Sequence, residues 1–160
     1  RLALIHLQAI KPTRYEEFPV SIALAQVNIA AGNNVKAIDL LKHLERLYPY
    51  NEAVTLYLST ALLETKRPLQ ALNTLDDFGI TFSSNPALER LRAKAAELAG
   101  QPWRSHEALA DYNLMHARYS KAIEHFILAE RQLGIDQHSR ERIKAKKLEV
   151  KEFRKKHNLR

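Results

Sequence analysis

Residues 20–79 read VSIALAQVNIAAGNNVKAIDLLKHLERLYPYNEAVTLYLSTALLETKRPLQALNTLDDFG, and a shift of 34 positions lays this stretch on itself and on the residues after it. Ala25, Ser59 and Ala93 then align, as do Val27, Ala61 and Ala95, and Ala37, Ala71 and Ser105. Larger side chains recur between them: Leu41, Leu75 and Leu109, then Leu44, Phe78 and Tyr112. Gly32, Lys66 and Gly100 mark one recurring turn. Small residues at fixed points let two helices approach closely, and the bulky ones fill the space beside them.

A 34-residue period of this kind is that of the tetratricopeptide repeat, a pair of antiparallel helices. The spacing predicts helices over about 20–31 and 35–47, 52–65 and 68–77, and 86–99 and 102–116. Gly32 supplies a left-handed cap, and Asn85-Pro86 reads as an N-cap followed by an N1 proline. Beyond residue 100 the register jumps by 17. Ala122, Phe126 and Ala129 take second-helix positions only if the 102–116 helix is reused as a first helix, and half a period still lets successive helices alternate. The expected fold is an all-α tetratricopeptide-repeat solenoid of antiparallel helix pairs. Residues 1–19 form a degenerate or truncated first repeat, 20–133 the helix pairs, and 134–160 a basic capping helix.

Composition closes other routes. A chain of 160 residues with 46% apolar side chains buries about 68–70% of its unfolded surface, as an ordinary domain does. The absence of cysteine excludes disulfides, thiolate metal sites and thiol catalysis. Four glycines are too few for phosphate-cradling loops, and no apolar run approaches the roughly 18–20 residues of a membrane span.

The net charge of +7 is local: positions 140–160 hold ten Lys or Arg against three Glu, and positions 1–139 carry fifteen charges of each sign. A nucleic-acid reader spreads basic residues over a recognition face, often with aromatics. Here they sit on one terminal helix, and nucleic acid is not an expected partner. Arg142, Lys146, Lys147, Lys151 and Arg154 flank a broken apolar stripe of Ile143, Val150 and Phe153, with Ala145 and Leu148 nearby. One reading is a cap that keeps the end of the stack soluble; the other is contact with an anionic membrane or acidic subunit.

The segments IALAQVNIAAGN at 22–33, NPALERLRAKAAELAG from Asn85, and RIKAKKLEVKEF at 142–153 accompany the order GxPxxxHEALADYxLxxxxYxKAIEHFxLAE at 100–130. This set resembles the C-terminal repeat domain of periplasmic zinc metalloproteases similar to the β-barrel assembly-enhancing protease. The resemblance implies a noncatalytic, periplasmic domain that takes part in outer-membrane protein assembly and quality control. It would bind protein or peptide clients or the barrel-assembly machinery, and would pack on its own protease half. It places zinc only in that protease half, with no cofactor in this chain. The sequence opens on Arg1, and RLALIHLQA lacks the core and cleavage site of a secretory peptide, so we expect a fragment of a longer protein. The alternative is a tetratricopeptide adaptor for peptides, unrelated to proteolysis.

The spacings of catalytic sites are missing from the chain. An HExxH zinc helix needs a second His four residues on, yet His106-Glu107 is followed by Ala110. No Ser sits in a GxSxG elbow. The expected binding surface is instead the groove lined by first helices: Ile22, Gln26 and Ile29; Leu56, Thr60 and Leu63; Arg90, Lys94 and Glu97; Glu107, Asp111 and Leu114. Among these, Gln26, Thr60, Arg90, Lys94, Glu97, Glu107 and Asp111 carry the polar contacts. Arg90 and Lys94, one turn apart, suit a carboxylate; the plainer reading is a solvated face with Glu97 as local neutraliser. Trp103, Tyr112 and Met115 are read as packing.

Overall fold

The computed structural model describes residues 17–81 and 85–159, and among them there are eight helices and no strand. They are α1 (Glu17–Ala30), α2 (Asn34–Leu47), α3 (Glu52–Glu64), α4 (Pro68–Thr81), α5 (Pro86–Leu98), α6 (Pro102–Met115), α7 (Tyr119–Arg131) and α8 (Gln137–Lys156). Two compact units divide at residues 83 and 84, so α1–α4 belong to the first and α5–α8 to the second. Within each unit, consecutive helices pack on one another across turns too short for anything but an antiparallel return. The expected degenerate repeat over 1–19 lies outside the described residues as far as residue 16, and α1 begins three positions before Val20.

Helix starts recur at about half the repeat period, and local chemistry sets them. Asn51 accepts from the amides of Ala53 and Val54 at 3.0 and 3.3 Å, Asn85 from Ala87 at 2.8 Å, and Asp136 from Ser139 at 2.8 Å. Each thereby satisfies an amide that the first helical turn leaves without a partner. Pro68, Pro86 and Pro102 open α4, α5 and α6, where a missing N–H costs nothing.

Helix ends carry the same period in backbone conformation. Gly32, Lys66, Gly100 and Gly134, spaced by 34, all have positive φ, at 76°, 58°, 72° and 80°. At the first three, the following amide returns to a carbonyl five residues back: Asn33 to Asn28, Arg67 to Leu62 and Gln101 to Ala96, at 2.8–2.9 Å. This is the Schellman closure. Ala117, half a period after Gly100, has φ 54° and repeats it through Arg118 to Asn113 at 2.9 Å. Helix α6 therefore ends as a first helix does, and the half-period jump read from the sequence is a reuse of α6 in both roles.

Packing follows the same frame. Ala25, Ser59 and Ala93 are buried, and Ala110, half a period beyond Ala93, is buried in turn. Asn28 and Asn113 occupy matched positions near the ends of α1 and α6, both buried, and each donates its side-chain amide to the carbonyl four residues back. The second unit closes around Ala110, Ala122, Phe126, Ala129, Ile135 and Ile143, with Trp103, Leu114 and Val150 against them. Leu148 departs from the expected stripe: it is 56% exposed. At 100° per residue it falls on the face of α8 opposite Ile143.

Candidate protein-interaction surface

In the first unit, the expected groove positions are partly closed. Ile22 and Leu63 are buried in the core. Gln26 is exposed on α1, and its side-chain amide donates to the Tyr57 hydroxyl of α3 at 2.5 Å. Thr60 is half-buried and donates its hydroxyl to the Leu56 carbonyl at 2.8 Å, so its polarity is spent within its own helix.

In the second unit the named charges separate into two groups. Arg90, Lys94 and Glu97 project from α5, with Lys94 and Glu97 exposed and Arg90 exposed beside them. Glu107 on α6, by contrast, is only 7% exposed and does not line an open groove. Arg142 grips it with both guanidinium arms, Nη2 donating to Oε2 at 2.9 Å and Nη1 to Oε1. Lys146 reaches Glu107 at 3.3 Å and Asp111 at 3.2 Å. Asp111 also receives Arg92 of α5 at 2.9 Å, and Arg92 lies 2.6 Å from Glu89. Three carboxylates and three cations thus alternate from α5 through α6 to α8. A carboxylate gripped on both oxygens by a guanidinium is held more firmly than by a point charge.

The buried carboxylates Glu89 and Glu107 titrate in opposite directions. Burial pushes the Glu89 carboxyl up to about 7; Arg92 opposes the rise and the Asp111 carboxylate adds to it. Burial pushes Glu107 the same way, but the Arg142 hydrogen bond and the Lys146 and Arg142 charges together hold it below the ordinary carboxylate range. The distinction is the number of cations each one touches.

Helix α8 divides the basic residues named from the sequence. Arg142 and Lys146 are engaged by α6, and Lys147 meets Glu130 of α7 at 2.5 Å. Lys151 and Arg154, one to two turns further on, reach no carboxylate among the described residues; Arg154 donates to the neutral Ser120 hydroxyl at 2.9 Å. Two clefts flank the helix. One, of about 420 Å³, lies among Leu114, Tyr119, Val150 and Phe153, with Asp111 and Lys146 at its edge. The other, of about 560 Å³, lies among Ile123, Lys151, Arg154, Lys155, Asn158 and Leu159.

A histidine pair escapes any reading confined to single helices. His106 of α6 and His125 of α7 bring their Nδ1 atoms to 3.4 Å. Burial lowers both pKa values; Glu97 partly opposes this at His106, and His106 adds to it at His125. The signal available was the 19-residue separation, which also joins Arg92 to Asp111 across the preceding helix pair. Among the described residues, no three His, Cys, Asp or Glu side chains gather where they could hold a metal, and no helix is long and apolar enough to cross a membrane.

Residues 20–95 match the family model described as Tetratricopeptide repeat. No curated protein matches the sequence significantly. Among solved structures, that of TTC0263, a thermophilic TPR protein of Thermus thermophilus, is similar to this chain. The two share 22% identity at a TM-score of 0.49, over 81% of this chain and 80% of that one. With the recurring helix closures and the 34-residue spacing of buried small residues, the described residues form an all-helical repeat fold like that of the tetratricopeptide repeat, whose family model matches the first part of it.

Proposed function

We propose that the chain is a noncatalytic protein-binding module that holds a carboxylate-bearing segment of its partner on α5. Repeat scaffolds of this type act through their surfaces, and the partner is a protein or peptide. One observation carries the reading. Arg90 and Lys94 are exposed one turn apart and form no ion pair among the described residues, whereas Glu107 and Asp111 on α6 are already matched by α8. The unspent charge on α5 is net cationic, Arg90 and Lys94 against the single exposed Glu97, and an anionic group complements it.

The test is a double charge reversal, Arg90→Glu with Lys94→Glu, in the intact parent protein, with a photocrosslinking residue at position 97. We expect loss of the crosslinked partner with an unchanged helical circular dichroism spectrum. Undiminished crosslinking would remove α5 from the binding surface.

A narrower reading places this module in a periplasmic zinc metalloprotease that serves outer-membrane protein assembly, with zinc confined to the protease half. Its support is the resemblance of residues 100–130 and 142–153. Reading the gene upstream of Arg1 tests it: a signal peptide and an HExxH helix are expected, and a start codon just ahead of Arg1 would favour the adaptor unrelated to proteolysis.

A further inference from the structure

The cations of α8 are not equivalent. Over residues 142–147 of the helix, Arg142, Lys146 and Lys147 each meet a carboxylate of α6 or α7. Over the turns after Lys147, Lys151, Arg154, Lys155 and Lys156 meet none among the described residues. The carboxylates of those turns, Glu149 and Glu152, do not line the cleft of about 560 Å³ that Lys151, Arg154 and Lys155 surround. Its floor is apolar, from Ile123 and Leu159.

The cleft is built, not frayed. Asn158 takes φ 50°, and the Leu159 amide returns to the Arg154 carbonyl at 3.1 Å, the same closure that ends α1, α3, α5 and α6. This holds Leu159 in the floor. Arg154, half-buried, is aimed by its hydrogen bond to Ser120, which orients the guanidinium without neutralising it.

From these observations we propose a second docking site, distinct from the α5 cations, for an acidic peptide segment of a partner protein. Its carboxylates would meet Lys151, Arg154 and Lys155, and an apolar side chain of the same segment would rest on Ile123 and Leu159. An anionic membrane fits less well. A helix lying in a bilayer surface needs a continuous exposed apolar face beside its cations. In α8, Ile143 is buried and Val150 is half-buried, and the exposed Leu148 and Phe153 stand about 140° apart around the helix, with Phe153 against the rings of Tyr119 and His157 at 5.5 and 4.5 Å, so no continuous apolar face forms. A concave site with a small apolar floor suits an inserted side chain.

Fluorescence anisotropy on the full chain tests this with two probes: a labelled peptide alternating Asp and Leu, and vesicles containing phosphatidylserine. We expect the peptide to bind more weakly as salt rises. Lys151→Glu with Lys155→Glu should weaken it about tenfold or more, and Arg90→Glu with Lys94→Glu should change it less than about twofold. Thermal unfolding monitored alongside should be unchanged by the Lys151 and Lys155 substitutions, since neither side chain meets a carboxylate in the fold. Three results would overturn the proposal: peptide binding indifferent to the Lys151 and Lys155 reversal, an equal loss from both double variants, or binding to vesicles with none to the peptide. If the α5 reversal leaves partner crosslinking intact while the α8 reversal abolishes peptide binding, the α5 reading fails and this one stands.

Discussion

The two units use the same helix spacing but different chemistry between helices. The first buries large aliphatic side chains: Leu41, Leu58, Leu62 and Leu72 are all at most 1% exposed. The second buries mainly alanines, among them Ala95, Ala96, Ala108, Ala110, Ala122 and Ala129, around Phe126 and Ile143. Small side chains contribute less transfer free energy, about 25 cal/mol per Å² of apolar area removed from water. The second unit adds a chain of alternating charges that includes the buried Glu89 and Glu107. One repeat frame thus accepts either apolar volume or matched ions at its inter-helix contacts. The consequence is that the second unit should respond to pH more strongly than the first, where burial raises the half-buried Glu45 carboxyl and Lys42 opposes the rise.

The largest expected effect tests the side of the comparison that the units share. Leu72→Ala in the first and Phe126→Ala in the second should each cost about 3–5 kcal/mol in thermal or denaturant unfolding, because each empties a fully enclosed site. A loss below about 1 kcal/mol at either would mean that this core collapses around the gap. Glu107→Gln comes next. It removes the charge that Arg142 and Lys146 share, at a cost of about 2 kcal/mol; the exposure of Arg142 and Lys146 to solvent keeps the figure below that of a fully enclosed pair. Faster hydrogen exchange should appear in α6 and α8, with α1–α4 unaffected.

Glu89→Gln sharpens the contrast through pH. The Glu89 carboxyl in the folded protein titrates at about 7, above the unfolded value of 4.5. Between those two values the folded state holds a proton that the unfolded state has released. Stability from this group is therefore present below about pH 4.5 and falls as pH rises to 7, with a slope on the order of 1 kcal/mol per pH unit. The Gln variant should lack that slope and be more stable than wild type at pH 8 by about 1–2 kcal/mol. Equal slopes in the two proteins would show that Glu89 is ionised throughout.

The smallest effect lies in the turns. Lys66 holds φ 58° where its counterparts Gly32 and Gly100 hold 76° and 72°. Lys66→Gly should relieve the strain of a side chain in left-handed backbone and raise stability by roughly 0.5–1 kcal/mol, read as a small rise in Tm. The reverse change, Gly100→Ala, should cost a similar amount. An added Cβ there meets nothing within 4 Å, so backbone conformation alone sets the penalty.

Much of the architecture is legible in the order of residues. Helix starts at Asn51, Asn85 and Asp136 and the left-handed closures at 32, 66 and 100 depend on side chains and amides within five positions of each other. The 34-residue period of Ala25, Ser59 and Ala93 is equally plain, since a repeated unit meets a repeated neighbour. The candidate surface is less legible. Arg90, Lys94 and Glu97 are exposed, as their position on the helix implies, whereas Glu107 occupies an equivalent place and is buried under Arg142.

The sequence by itself determined where most helices begin and end, though α1 starts three residues before and α4 ends four residues after the expected position, and which residues recur in equivalent places, because hydrogen bonds over a few positions and apolar periodicity need no knowledge of distant neighbours. Tertiary structure alone decided which charges are spent and which remain open. Arg92 with Asp111, His106 with His125, and Arg142 with Glu107 are 19, 19 and 35 residues apart, and ion pairing depends on the distance between charges in space, a quantity that exists only once the helices have packed.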